Sequence, residues 1–337
     1  MGIRFVRLPS PRRAAAAGGR APSAPRGGAC AAAARCAARA LIAACAAAAS
    51  GAAAPAEAAR LRVAASTTDL ASIAASVGGG RIEAFAIARP TADVHRVEAL
   101  PSHMVRVSRA RVYLKVGLGL DQWADAVIDG SRNARLEVVD CSRGVRVLEK
   151  PAGRVDYAMG DVHPDGNPHY WLDPRNGAVV ARTVAEALAR VDPEGAAGYR
   201  ARAAEFAEAC AAAWTRERAH AEAMGIRTVF TYHRSWTYFA DAFGFEIAGT
   251  VEPVPGIPPT ARHLASLVEV ARRRGVPVLI REPYFSGEAG RFLARQAGVR
   301  EVIAAASCAD AAPGSYLAHI DAVLAAIDPA SAGKGHP

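Results

Sequence analysis

At 337 residues the chain is long enough for two lobes, each with a buried core. Its formal charge of +9 hints at a polyanion partner, but the distribution excludes that reading. Residues 1–58 hold eight of the 41 basic residues and one of the 32 acidic ones, leaving 33 and 31 in the remainder, a balance of +2, so nucleic acid is not expected as a partner.

The first 58 residues are rich in Ala, Arg, Gly and Pro and have no periodic apolar face. From Ala40 to Ala54 the chain is uncharged and small or apolar, and Ala56-Glu57-Ala58 offers a small-residue cleavage site. This pattern predicts an export leader over residues 1–58 and a protein that works outside the cytoplasm. Ile42-Ala43-Ala44-Cys45 also fits a lipid-attachment sequence. Only five apolar residues separate Arg39 from Cys45, however, so plain export ranks above lipid anchoring. A low-complexity tail on a cytosolic protein is the competing reading. After the leader only Cys141, Cys210 and Cys308 remain, too far apart for a C-x-x-C site and enough for at most one disulfide. No stretch there reaches the ~18 apolar residues of a membrane span.

The body predicts a strand at 61–67 and a helix opening at Thr67-Thr68-Asp69 and stopping at Gly78-Gly79-Gly80. Next come a strand at 81–87, a long loop through His95, and a short helix that Ser102 can cap. A strand at 112–117, a helix at 121–129 around Trp123 and a strand at 136–140 complete an N-terminal parallel α/β lobe over residues 59–176. From Pro174 the period is helical for about fifty residues. Val180, Val184, Leu188 and Val191 lie on one face, Asp192-Pro193 interrupts, and a helix from about Gly198 to Ala223 follows. These connecting helices, residues 177–224, predict a stiff spine between lobes. The alternation then resumes in a C-terminal α/β lobe over residues 225–328. Its strands are expected at 228–232, 246–250, 277–281 and 299–303, and its helices at 234–243, 261–274, 286–297 and 315–327. Residues 329–337 form a tail.

Several metal-binding side chains fall in loops at strand ends, where parallel sheets bind ligands. His95 follows a strand, in Ala92-Asp93-Val94-His95. His169 lies in Gly166-Asn167-Pro168-His169-Tyr170-Trp171, loop chemistry that runs into an aromatic pair. His233 ends a strand, in Val229-Phe230-Thr231-Tyr232-His233, and Cys308 and Asp310 follow the last strand. Three neutral imidazoles and one carboxylate suit Zn²⁺ as the bound ion, with Mn²⁺ next.

Four motifs in order give residues 61–328 a specific resemblance to the periplasmic metal-binding proteins of zinc and manganese ABC importers. They are T-A-D-V-H-R-V-E-A-L-P-S at 91–102, G-N-P-H-Y-W-L-D-P at 166–174, the run from Tyr232-His233 to Tyr238-Phe239 and Phe243-Gly244, and Glu282-Pro283-Tyr284-Phe285. The resemblance implies two parallel-sheet lobes joined by a rigid helix, with the metal at their interface and His95, His169 and His233 as ligands. The family's fourth ligand, an acid about 26 residues after the Glu of E-P-x-F, falls here on Cys308. Asp310, two residues on, keeps the ligand type and is taken as the fourth ligand, with Cys308 and a bound water as rivals. The resemblance gives Glu98 and Glu282 supporting roles. Relatives that import zinc often carry a His- and acid-rich loop before the second ligand. Only Asp156, Asp161, His163 and Asp165 remain of it here, so His163 is read as recruiting metal at most. His103, His263 and His319 read as solvated faces.

The expected function is capture of a divalent transition metal, zinc before manganese, outside the cytoplasmic membrane and its delivery to an ABC permease. No enzymatic activity is expected, and the protein should be a monomer. A zinc hydrolase using the same histidines with an open coordination position is the alternative, although no H-E-x-x-H or comparable acid–base motif accompanies them.

Overall fold

The computed structural model describes residues 60–153 and 163–331. The expected leader, Asp156, Asp161 and the end of the tail lie outside the described residues. Two four-stranded parallel sheets carry the fold. The first contains β1 (Leu61–Ala65), β2 (Ile82–Ala86), β3 (Val112–Lys115) and β4 (Glu137–Asp140) in the order β2-β1-β3-β4. The second contains β5 (Thr228–Thr231), β6 (Glu246–Thr250), β7 (Val278–Arg281) and β8 (Arg300–Ile303) in the order β6-β5-β7-β8. Each order reverses direction beside its first strand, and a crevice opens there beyond the strand ends.

Helices cross between the strands: α1 (Thr68–Gly78), α2 (Pro101–Val107) and α3 (Trp123–Ser131) in the first lobe. Then come α4 (Pro174–Val191) and α5 (Ala196–Ala223), followed by α6 (Thr237–Phe243), α7 (Ala261–Arg274), α8 (Glu288–Ala297) and α9 (Ser315–Ile327). Their starts follow local chemistry. The Thr67 hydroxyl accepts from the Leu70 N–H, and the Asp173 carboxylate accepts from the Arg175 N–H with Pro174 in the first turn. The short α2 differs from expectation: it starts at Pro101, and Ser102 lies inside it rather than capping it.

The 28 residues of α5 span about 42 Å. This helix packs along α4 and also against α1, α6 and α9. The last helix, α9, stays tied to its own sheet, where Arg300 of β8 donates to the Ala326 carbonyl at 3.0 Å, and also reaches the first lobe. It packs on α1, where the Tyr316 N–H bonds Ser72 and the Tyr316 hydroxyl donates to the Trp171 carbonyl at 2.7 Å. One continuous apolar core therefore includes Val63, Trp171, Phe239, Ile280 and Tyr316. Trp171 and Tyr316 are fully buried. Such packing holds the histidine-bearing loops of the two sheets in one framework.

Candidate metal centre

His95 lies beyond β2 on a loop fixed from two sides. Val94 is buried and its carbonyl accepts the Trp123 indole N–H at 2.9 Å, which pins the loop to α3. Asp93 sets the ring: one carboxylate oxygen, Oδ1, accepts the His95 backbone N–H at 3.0 Å and lies 2.8 Å from ring Nδ1. Asn167 handles His169 in the same way, its Oδ1 lying 3.0 Å from the backbone nitrogen and 3.0 Å from Nδ1. The Asn167 amide nitrogen donates elsewhere, to Glu149 and to the Arg234 carbonyl, so oxygen is the atom facing His169. An Nδ1–H donated to these oxygens leaves Nε2 with its lone pair free for a metal.

His233 follows β5, just past an irregular register between β5 and β6 at Val229/Phe230. Its Nδ1 lies 2.6 Å from the Glu252 carboxylate, and the same carboxylate oxygen accepts the Gly256 N–H at 3.1 Å. All three rings are thus gripped at Nδ1.

The three histidines converge. One nitrogen from each of His95, His169 and His233 lies within 4.8 Å of the other two. The Nε2 atoms of His95 and His169 are buried without a hydrogen-bond partner. Buried, unpaired nitrogens facing one point are what a metal would satisfy. Burial, reinforced by the neighbouring imidazoles, holds His169 well below the usual histidine range, so it stays neutral and ready to ligate. For His233 burial works downward, but the Glu252 hydrogen bond and the nearby Glu282 and Asp93 outweigh it and raise its basicity. Imidazole nitrogen donors on carboxylate or amide supports fit zinc or another borderline divalent ion.

The structure brings His95, His169 and His233 together and leaves Asp310 out. Asp310 is exposed, and its carboxylate accepts the Ala312 N–H at 2.8 Å and the Ser315 hydroxyl, closing the turn into α9. The expected fourth ligand is therefore corrected. Its rival Cys308 is also turned away. Its N–H bonds Asp69, its carbonyl accepts from Thr68, and its Sγ lies 3.2 Å from the Asp310 carbonyl oxygen. The whole loop is fastened to the start of α1.

Other residues move too. His319 is not a solvated face: burial pushes its pKa down to about 4, and its Nε2 is out of solvent. His103 and His263 bond backbone carbonyls of Glu98 and Thr250. Glu98 is exposed, whereas Glu282 is fully buried and accepts the Trp236 indole N–H at 3.1 Å. His163 stands beside the site, its ring stacked 5.4 Å from that of His95. Sequence reasoning missed Asp93, Asn167 and Glu252. The first two carry a signal, an Asp or Asn two residues before a loop histidine, whereas Glu252 is 19 residues from its partner.

Two parallel-sheet lobes with an imidazole cluster where their loops meet define a two-lobed binding protein with a candidate metal site. The family model described as zinc-uptake complex component A, periplasmic, matches residues 63–330, and the chain belongs to that family. The chain is similar to the iron-binding protein YfeA of Yersinia pestis, 24% identical over 249 residues, covering 72% of this chain and 76% of that one. It is also similar to the manganese-binding lipoprotein MntA of Halalkalibacterium halodurans, 24% identical over 224 residues, covering 66% and 71%. Among solved structures, a zinc-bound deletion mutant of ZnuA superposes with a TM-score of 0.70 at 24% identity, over 82% of this chain and all of that one. That likeness supports the two-lobed fold.

Proposed function

We propose that this protein captures a divalent transition metal, zinc ahead of manganese, outside the cytoplasmic membrane and hands it to an ABC permease. One observation carries the reading: three imidazole nitrogens within 4.8 Å of one another, each ring held at Nδ1 by its own oxygen acceptor. Zinc is favoured because the group offered by β5 is an imidazole, His233, and imidazole suits zinc better than manganese. The metal is cargo, so the site must also let go. His95 and His169 come from the first lobe and His233 from the second, and a permease that shifts one lobe against the other would pull the donor set apart. Residues 1–58 act as the export leader in this reading. Family membership speaks for an uptake component and gives a hydrolase no support.

Trp171 provides the assay, since its ring lies 5.3 Å from that of His169. Titration with zinc should change tryptophan fluorescence to a one-to-one endpoint, with manganese binding more weakly. His169→Ala should remove the tight phase. A wild-type protein that takes up neither metal, or one that His169→Ala leaves unaffected, would overturn the proposal.

A further inference from the structure

Three donors leave a zinc ion one short of its usual four. The last loop supplies none, because Asp310 faces outward and Cys308 is fastened to α1. Among the described residues two other metal-binding side chains line the same space, His163 and Glu149, and the Glu149 carboxylate is already engaged, accepting the Asn167 amide N–H at 2.9 Å. His163 lines a cavity of about 40 Å³ together with His169, His233 and Asn167. Its ring lies nearly parallel to that of His95, 25° between planes. Its Nε2 is buried without a partner, as are the Nε2 atoms of His95 and His169. The ring is bonded to the Gly119 backbone, so it too has one committed nitrogen and one free. In the structure His163 stands outside the set of three whose nitrogens lie within 4.8 Å of one another.

We infer that His163 is the fourth donor to the metal cargo, sliding along the face of His95 to close the shell. This rests on the proposed metal-capture function and deepens it. The turn that carries His163 is constrained: the Gly166 N–H bonds the His163 carbonyl at 3.2 Å, and Gly166 sits at φ +112°. A Cβ at Gly166 would lie 2.2 Å from the Val147 side chain and 3.0 Å from the Leu148 carbonyl oxygen, so only glycine fits. A four-imidazole set lacks the carboxylate oxygens that manganese prefers, and His163 thereby becomes a selectivity residue for zinc.

The test uses the full chain, with zinc, manganese and cobalt(II) as probes, in the wild type and in His163→Gln, His163→Cys and His169→Ala. His163→Gln should weaken zinc on the order of 10–100-fold, change manganese less, and reduce the intensity of the tetrahedral cobalt d–d bands. His163→Cys should gain a thiolate-to-cobalt charge-transfer band in the near ultraviolet, which a purely structural role for position 163 cannot produce. Wild-type zinc binding that is lost in His169→Ala but unchanged in His163→Gln overturns this inference and leaves the capture function standing. So does a folded His163→Cys protein that binds cobalt without the new band. No zinc binding by the wild type overturns both.

Discussion

Asn167 meets His169 twice: the same amide oxygen lies 3.0 Å from its backbone nitrogen and 3.0 Å from ring Nδ1. The other end of the amide donates to the Arg234 carbonyl at 2.8 Å, next to His233 in sequence. One buried side chain therefore orients a ligand from the first lobe and touches the ligand loop of the second. The Tyr238 hydroxyl donates to the Asn167 carbonyl at 2.9 Å and reinforces the link.

Removing that grip should cost affinity while leaving all three histidines in place. Asn167→Leu is expected to weaken zinc on the order of 10–100-fold, the usual effect of losing a group that orients a metal ligand. Asn167→Asp keeps the oxygen on His169 and should lose less. Calorimetric titration of the two variants checks the ranking, and equal losses would mean that the contact to the second lobe matters more than the ring.

Glu252 gives a parallel case on the other lobe. It is buried, and without it the Nδ1 of His233 would lack its acceptor. Glu252→Gln keeps an acceptor but removes the charge that raises the ring's basicity, and Glu252→Ala removes both. Zinc affinity should fall in the order wild type, Gln, Ala, with Ala on the order of 10–100-fold down. Affinities that do not follow this order would separate His233 from its support.

The last loop should be silent toward metal. Asp310→Ala and Cys308→Ser are each expected to leave zinc affinity at the wild-type value, measured by the same titration. Cys308 is buried, and burial raises its thiol pKa, so it should resist alkylation in the folded protein with or without zinc. Zinc-dependent protection of this thiol would reinstate it as a ligand.

Much of the architecture was legible because strand and helix periods are local. The helices at 261–274 and 315–327 and the strand at 246–250 fall where the pattern places them. The three clustered histidines were legible because each sits in a strand-end loop, two of them with Asp, Asn or Pro neighbours that mark a turn. The fourth position was not. Whether Asp310 turns inward depends on Asp69 and Thr68, some 240 residues away, which bind the Cys308 backbone and draw the loop onto α1. Nothing near Asp310 in the sequence encodes that contact. The docking of α9 through Tyr316 on Ser72 and Trp171 is hidden for the same reason.

The Asp69 contact that diverts the loop should also be visible in the pH dependence of stability. Asp69 is fully buried at the start of α1, where its carboxylate accepts the Cys308 N–H at 3.0 Å. Burial raises its pKa from 3.8 to about 6, with the Cys308 N–H only partly offsetting the effect. Between about pH 4 and 6 the folded protein therefore keeps a proton that the unfolded chain has released. The stabilisation linked to this proton is complete below about pH 4 and lost as the pH rises through about 6. At pH 7 the loss amounts to about 3 kcal/mol, on the conversion of roughly 1.4 kcal/mol per pKa unit. Asp69→Asn cannot ionise and still offers an oxygen to the Cys308 N–H. The urea stability of this variant relative to wild type should therefore rise by about 3 kcal/mol between pH 4 and pH 7, then level off at higher pH. The slope of that difference is the deciding measurement, since a constant offset reports only how well the amide packs. A difference that stays flat from pH 4 to 7 would mean that Asp69 ionises in the folded protein as freely as in the unfolded one.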